Sequence, residues 1–265
     1  MTPTFLILAF IFGTLIGSFL NVVVARYKTG MTLGGRSKCF SCNRTLRWFE
    51  LVPLFSFIIQ GAACRRCKSK ISWQYPLVEI GTGVFFTLIF WYFPPISIGA
   101  SFTTIFLLLI TSILIIITVY DAKHKIIPDP LAYTFATLAL LRLFIATDLS
   151  IVVPTIWQLL AGPLLALPFF LLWLSSKGKW MGLGDSKLTL GIGWILGLGA
   201  GISALILAFW IGAIISVLWM FVAFRKFKVR YEVPFGPYLI LGMYLVLFWG
   251  IQVFDVQTFL EIFAS

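Results

Sequence analysis

Long apolar segments recur along almost the whole chain, and they limit its possible folds more than any other feature. A helix needs roughly 20 apolar residues to cross about 30 Å of hydrocarbon. Eight segments are candidates, near residues 4–25, 77–95, 99–120, 130–147, 151–174, 186–199, 201–224 and 234–254. The sixth is short and glycine-rich, so a broken or re-entrant segment is the alternative there. With 60% hydrophobic and 11% charged residues, and a mean hydropathy of +1.04, the composition excludes a water-soluble globular domain. We therefore predict an all-α polytopic membrane protein with about eight transmembrane helices.

The basic residues predict how these segments are oriented. Alternate loops at 26–76, 121–130, 175–187 and 225–233 hold ten, two, three and four Lys or Arg residues, which makes 19 of the 20 in the chain. Cytoplasmic loops collect Lys and Arg, so we place these four loops in the cytoplasm and interpret the first segment as a retained anchor. The net charge of +11 then describes a rim that contacts membrane lipids, and no motif indicates nucleic-acid binding.

All four cysteines lie in the largest of these loops, as two CxxC pairs formed by Cys39 with Cys42 and by Cys64 with Cys67. Twenty-one residues separate the pairs, which is close to the spacing at which four thiolates converge on zinc. Four protein ligands leave no open coordination position, so this pattern indicates structural zinc. Disulfides or a redox pair are the alternative, which a reducing cytoplasm disfavours. We divide the chain into a first transmembrane helix at 1–25, a cytoplasmic zinc module at 26–76 and a membrane domain at 77–265.

Three of the nine acidic residues lie at predicted helix ends on the same predicted side: Asp121, Asp129 and Asp185. A carboxylate at the end of a membrane span is costly unless it faces protein or water. Asp121 ends an apolar helix, where a negative charge meets the unfavourable end of the helix dipole, so capping does not explain it. Asp129 precedes Pro130, and we interpret it as a helix N-cap. Asp185 could cap a helix that begins at Ser186, or it could have a catalytic role.

Asp185 belongs to a GxGD motif with Gly182 and Gly184, where glycines allow a tight turn and a close approach by another segment. Two carboxylates held close together cannot both ionise cheaply, so one of them keeps a proton. The ionised member can activate water for attack on a peptide carbonyl, and the protonated member can donate to the carbonyl oxygen. We therefore predict an aspartic peptidase. An ion-coupled transporter that uses the aspartates as a proton relay and a noncatalytic assembly factor remain alternatives.

In combination, these motifs resemble those of the bifunctional type IV prepilin peptidases, which are relatives of the GxGD intramembrane proteases. The resemblance rests on residues 17–22 and Arg26, the two CxxC pairs, residues 75–79, residues 121–129, and Gly182, Gly184, Asp185, Lys187 and Leu188. It implies that Asp121 and Asp185 are the catalytic pair. It also implies supporting roles for Gly182, Gly184, Lys187 and Asp129.

The resemblance further implies a location, a substrate and a second activity. Members of this family lie in the bacterial inner membrane, with the active site at the cytoplasmic face. They cleave the basic leader from type IV pilin precursors or from the pseudopilins of type II secretion, and they methylate the new amino terminus with S-adenosylmethionine as donor.

The sequence itself does not show how S-adenosylmethionine would bind, because no GxGxxG fingerprint follows a strand. The candidates are polar residues in the module or at the adjoining helix ends: Glu50, Glu79, Asn21 and Arg26. Structural roles remain open for two of them. Glu79 could pair with a basic loop residue, and Asn21 could join two helices by a hydrogen bond.

Overall fold

The computed structural model describes residues 2–29, 32, 34–222 and 233–253, and the regular secondary structure of these residues is helical. They form nine α-helices: α1 Pro3–Arg26, α2 Phe55–Ile59, α3 Gln74–Tyr92, α4 Ile98–His124, α5 Asp129–Arg142, α6 Ile156–Ser176, α7 Leu183–Leu196, α8 Leu198–Val222 and α9 Gly236–Trp249. A short 3₁₀ helix, Trp48–Glu50, precedes α2. The chain divides into two compact units, Met1–Ile116 and Ile117–Ser265, with the boundary inside α4.

Five of the described helices are long and apolar enough to cross a membrane: α1, α3, α4, α6 and α8. The helices α5, α7 and α9 have 14 residues each and are therefore about 21 Å long, less than the roughly 30 Å of a hydrocarbon core. The predicted all-α polytopic fold is confirmed. Nine helices are described, and not eight, because the short α2 forms inside the predicted loop 26–76. Apart from Val233, the predicted basic loop 225–233 lies outside the described residues.

In the first unit, α1 and α3 pack closely because small residues line their contact. A Cβ added at Gly13 would lie 2.7 Å from the Cα of Gly83, and one added at Gly17 would lie 2.8 Å from the Oγ1 of Thr82. Lipid tails are as apolar as the helices, so helices in a membrane associate through close backbone packing of this kind. The same contact places the Cα of Glu79 only 2.9 Å from a Cβ added at Gly17.

In the second unit, α7 packs between α5 and α6 through glycines. Gly191 leaves room for the ring of Phe135 from α5, and Gly193 lies against the backbone of α6, where an added Cβ would be 2.6 Å from the Ala161 carbonyl oxygen. The remaining pair in this unit, α8 and α9, also pack against each other. These contacts hold the first turns of α5, α7 and α9 in place, and Asp121, Asp129 and Asp185 lie near those turns.

Candidate active site and metal centre

Asp121 lies in the last turn of α4, and only 4% of its surface is exposed. Its Oδ2 atom accepts a hydrogen bond of 3.1 Å from the backbone N–H of Gly236, the first residue of α9. A helix N-terminus carries a partial positive charge, so α9 offsets the unfavourable position of a carboxylate at the C-terminal end of its own helix. This contact explains how a buried carboxylate is tolerated at the end of α4.

Asp185 lies in the first turn of α7 and is also buried, with 9% of its surface exposed. The helix begins at Leu183, and its N-cap residue is Gly182. The Asp185 carboxyl interacts with the backbone amide of Gly182. The expectation of a helix that begins at Ser186 after a capping Asp185 is therefore wrong. Asp185 lies inside the helix, and its side chain reaches back towards the helix start.

Ile127 connects the surroundings of the two aspartates. Its Cβ would lie 2.7 Å from a Cβ added at Gly184, and its Cδ1 would lie 3.3 Å from a Cβ added at Gly236. The charge of Asp121 also acts electrostatically on the Asp185 carboxyl. The structure therefore brings two buried carboxylates from distant parts of the sequence into one group. We call this group the aspartate site, formed by Asp121, Asp185, Ile127, Gly184 and Gly236.

The two glycines of the GxGD motif differ in the space around them. A Cβ added at Gly182 would meet nothing closer than 3.7 Å, and the φ angle of −76° suits any residue. At Gly184, by contrast, Ile127 leaves no room for a side chain. Neither glycine takes the left-handed conformation. The φ angle therefore requires glycine at neither position, whereas the expected close approach occurs at Gly184.

Asp129 has a different role from the one its sequence context predicts. It is the first residue of α5, the N-cap residue is Pro128, and no side chain caps the helix. The capping interpretation is therefore wrong. Asp129 Oδ1 instead forms an ion pair of 2.8 Å with Lys187 Nζ, and the same ammonium lies 4.8 Å from the centroid of the Tyr133 ring. Since Lys187 follows Asp185 by two residues, this ion pair connects α5 to the first turns of α7.

The two CxxC pairs lie on two loops with the same hydrogen-bond pattern. The amide of Asn43 donates to the carbonyl oxygen of Cys39, and the equivalent amide of Lys68 donates to that of Cys64, both at 2.9 Å. Asn43 and Lys68 both take the left-handed conformation, with φ angles of 54° and 58°, and an isolated β-bridge accompanies each loop. The module thus contains one small structural unit twice, which the sequence analysis did not predict.

The four cysteine Sγ atoms lie within 4.8 Å of one another, and those of Cys39 and Cys67 are 3.8 Å apart. A tetrahedral zinc ion with Zn–S bonds of about 2.3 Å spaces its sulfurs about 3.8 Å apart. All four cysteines are free thiols, so the alternative of disulfides is not supported. The donor set and its spacing fit a metal ion, as the CxxC pattern predicts.

Neighbouring groups shift the ionisation of these thiols in opposite directions. The backbone amides of Cys42 and Ser41 donate to Cys39 and lower its pKa to about 6. The amide of Arg44 favours ionisation of Cys42, but burial and the neighbouring sulfurs outweigh it and raise the pKa of Cys42 to about 11. Four thiolates at this spacing repel one another, and a bound divalent cation would remove that repulsion.

Two of the predicted cofactor-binding residues, Glu50 and Arg26, make contacts inside the module. Glu50 is buried, forms an ion pair with Arg44 through Oε1, and accepts a hydrogen bond of 2.8 Å from the Arg47 amide through Oε2. Burial favours the protonated form, but these donors outweigh it and hold the pKa of Glu50 below its ordinary value. Arg26 donates to two backbone carbonyl oxygens at 2.9 and 2.7 Å. Both residues therefore stabilise the module itself.

The other two, Asn21 and Glu79, lie on the facing sides of α1 and α3. Asn21 Nδ2 donates to the Tyr75 carbonyl oxygen at 3.1 Å, which is the helix-joining bond expected of it. Glu79 Oε2 accepts a bond of 2.8 Å from the amide of Leu54. Asn21 Oδ1 is buried and accepts no hydrogen bond from the described residues. A buried acceptor without a donor costs free energy, so this atom is suited to a ligand that brings one.

Sequence reasoning did not single out Ile127 or Gly236. A signal for Gly236 was present, because Pro234, Phe235, Gly236 and Pro237 form a helix-start pattern before the last apolar segment. Ile127 carries no comparable signal, since an isoleucine beside a proline is common in any loop between apolar helices. Its importance comes only from the two glycines that it contacts.

Two family models match the chain. The first, the bacterial peptidase A24 N-terminal domain, matches residues 11–93, and the second, the type IV leader peptidase family, matches residues 108–217, which include both Asp121 and Asp185. The chain belongs to the type IV leader peptidase family. The family prediction made from the motifs is thereby confirmed, and membership together with several apolar helices identifies a multi-pass inner-membrane protein.

Individual members of the type IV leader peptidase family agree with this assignment. The prepilin leader peptidase/N-methyltransferase of Pseudomonas aeruginosa is 29% identical, over 97% of this chain and 94% of its own length. The protein of the same name from Stutzerimonas stutzeri is 28% identical, over 94% and 92%. That of Myxococcus xanthus is 36% identical over a shorter region, 48% of this chain and 36% of the relative. No solved structure matches the chain significantly.

Proposed function

We propose that this chain is a prepilin leader peptidase in which Asp121 and Asp185 form the catalytic pair. One observation carries the assignment of these residues. They are two buried carboxylates, brought together at helix ends in the part of the chain that matches the peptidase family. In this chain the residues 77–265 would form the peptidase domain, and 26–76 the metal-binding and methyltransferase module.

The chemistry of the pair follows from two like charges in a confined space. One carboxylate is ionised and takes a proton from water as the water oxygen attacks the scissile carbonyl carbon. The other is protonated and gives its proton to the carbonyl oxygen, which yields a tetrahedral diol. When the diol collapses, the C–N bond breaks and the leaving nitrogen takes the proton that the first carboxylate received. The second carboxylate takes a proton back from a diol hydroxyl as the new C=O bond forms. The aspartates thus return to their starting state, and no metal ion takes part.

The expected substrate is a pilin or pseudopilin precursor, whose apolar helix lies in the bilayer beside its basic leader. An active site at the cytoplasmic face would meet the junction between leader and helix there. The Lys187–Asp129 ion pair would hold α5 and α7 at this end of the site. The transporter alternative is not favoured, because the family is one of peptidases and both aspartates lie in terminal turns of their helices.

For the second activity, the four cysteines would hold zinc and fold the module, with no open position for catalysis. S-adenosylmethionine would supply the methyl group. Asn21 and Glu79 fit the binding of S-adenosylmethionine or of the new amino terminus, because each of these two ligands is cationic or carries N–H donors. The buried Asn21 Oδ1, which accepts no hydrogen bond from the described part of the chain, and the Glu79 carboxylate are acceptors suited to such groups.

The test is cleavage of a pilin precursor in liposomes by the wild type, Asp121→Asn and Asp185→Asn. Both variants keep the size of the side chain, so we expect them to fold and to methylate a peptide that already begins at the mature amino terminus. We expect cleavage to fall by a factor of about a thousand or more, as for loss of a catalytic acid or base. Near-normal cleavage by either variant would remove that residue from the catalytic pair.

A further inference from the structure

Among the described residues, the first backbone amide of α9 has one acceptor, and that acceptor is the carboxylate of Asp121. Gly236 N–H donates to Asp121 Oδ2 at 3.1 Å, across 115 residues of sequence. The side chain of the N-cap residue, Phe235, has no atom that could accept this hydrogen bond. A carboxylate from α4 therefore does the work that a Ser, Thr or Asp side chain does at most helix starts.

The other amides of this first turn are not available to Asp121. Pro237 has no N–H group, and the amides of Tyr238 and Leu239 both donate to the carbonyl oxygen of Phe235, at 3.0 and 3.2 Å. Gly236 thus provides the one amide in this turn that is directed at the carboxylate. Because Pro237 has a fixed φ angle, the orientation of the turn and of this amide is well defined.

The absence of a side chain at Gly236 is as important as its amide. A Cβ added there would lie 2.8 Å from Asp121 Oδ2 and 3.3 Å from Ile127 Cδ1. Both atoms are at the far ends of side chains, so an added methyl group would be accommodated by rotating the carboxylate, with no need to move a helix. The φ angle of Gly236 lies outside the left-handed region, so φ by itself does not require glycine at this position.

From these contacts we infer that Gly236 is a positioning residue for cleavage: its amide holds one oxygen of Asp121, and its missing side chain leaves the space in which that carboxylate lies. This inference rests on the proposed catalytic role of Asp121. With Oδ2 held by the amide, Oδ1 is the oxygen left for proton transfer. A rotated carboxylate would lose both the hydrogen bond and the geometry relative to Asp185.

The test compares Gly236→Ala with Gly212→Ala in steady-state cleavage of a pilin precursor. Gly212 in α8 is a matched control, because an added Cβ there would lie 3.1 Å from the Tyr238 ring and so would press on the same first turn of α9 without touching Asp121. We expect Gly236→Ala to lower kcat by about 100-fold, as small displacements of catalytic groups do, with KM nearly unchanged. The control should keep kcat within a few-fold.

Thermal unfolding reports on the fold of the whole enzyme. Methylation of a peptide that already begins at the mature amino terminus shows that the module is intact, since it does not require the aspartates. We expect Gly236→Ala to methylate this peptide normally. If that variant fails to fold, the double variant Gly236→Ala/Ile127→Val replaces it, because valine lacks the Cδ1 atom and leaves only the contact with Asp121. The double variant should show the same loss of kcat.

A normal kcat in a folded Gly236→Ala enzyme would overturn the inference, and so would an equal loss in Gly212→Ala. The asparagine variants of Asp121 and Asp185 separate this result from the proposed function. If both abolish cleavage while Gly236→Ala cuts normally, only the positioning role fails. If the asparagine variants cut normally, the catalytic pair itself is misassigned.

Discussion

The cysteine module and the aspartate site are assembled in opposite ways. In the module, the four sulfurs come from two copies of one short loop, and each copy closes through hydrogen bonds between residues four or five positions apart. In the aspartate site, the groups come from α4, the loop after it, α7 and α9, and the bond between Asp121 and Gly236 spans 115 residues. A local site depends on its own ligands, whereas a dispersed site depends on how helices pack.

The largest expected effect comes from removing the metal from the module. Structural zinc contributes on the order of 10 kcal/mol to the folding of small domains, so Cys64→Ser or a chelator should unfold the loop. We expect methylation to fall below detection while cleavage falls much less, measured on the same enzyme with a precursor and a mature peptide. Ser41→Ala is the control, because it changes the first CxxC pair without removing a sulfur. Equal loss of both activities would show that the two sites are not separate.

Substitutions of the two glycines of the GxGD motif test how the aspartate site depends on helix packing. Gly184→Ala should push against Ile127 and lower the kcat of cleavage by about 100-fold. Gly182→Ala should cleave almost normally, because an added Cβ meets nothing within 3.7 Å. Cleavage is measured for both variants, and a separate thermal unfolding experiment shows that each variant is folded. Comparable losses at both positions would contradict the contact with Ile127 as the reason for glycine in this motif.

A smaller effect is expected from Glu50→Gln, which removes a charge inside the module. Arg44 then loses its ionic partner, and we expect a loss on the order of 2 kcal/mol in the stability of the metal-bound loop. The pKa of Glu50 lies below its ordinary value, so its stabilising contribution is present at neutral pH and disappears as pH falls below about 4.

Zinc release on heating, followed with a chelating dye at several pH values, measures this effect of Glu50. Protonation of the thiols affects the wild type and the variant alike, so the difference between the two proteins isolates Glu50. That difference should shrink as the pH falls. Equal zinc release by the two proteins at neutral pH would show that the charge of Glu50 does not stabilise the module.

The smallest effect is expected at the ion pair between Lys187 and Asp129. Asp129 is largely exposed, and exposed ion pairs contribute about 0–1 kcal/mol, so Lys187→Met and Asp129→Asn should each change cleavage by no more than a few-fold. The double variant should be no worse than the single ones. Loss of cleavage in a folded Asp129→Asn enzyme would instead indicate a direct role in the reaction.

The same contrast explains which predictions from sequence succeeded. The CxxC spacing predicts the cysteine cluster because both loops close through hydrogen bonds between residues only four or five positions apart. The helical conformation of the apolar segments was also predictable, since a segment inside a membrane has to form its backbone hydrogen bonds within itself. The role of Asp129 was not, because a residue before proline looks like a cap in sequence, and its true partner, Lys187, lies on another helix.

The sequence alone therefore determined the family and the membrane helices, and it predicted the four-cysteine cluster and the proposed catalytic pair of Asp121 and Asp185. These features follow from hydropathy, from short spacings and from the cost of charge beside a bilayer. Only the tertiary structure decided that the α9 amide holds Asp121 and that Ile127 fills the space beside Gly184 but not the space beside Gly182. The physical reason is that such contacts depend on the packing of helices far apart in the chain, and no local pattern encodes the ångström-scale gap between them.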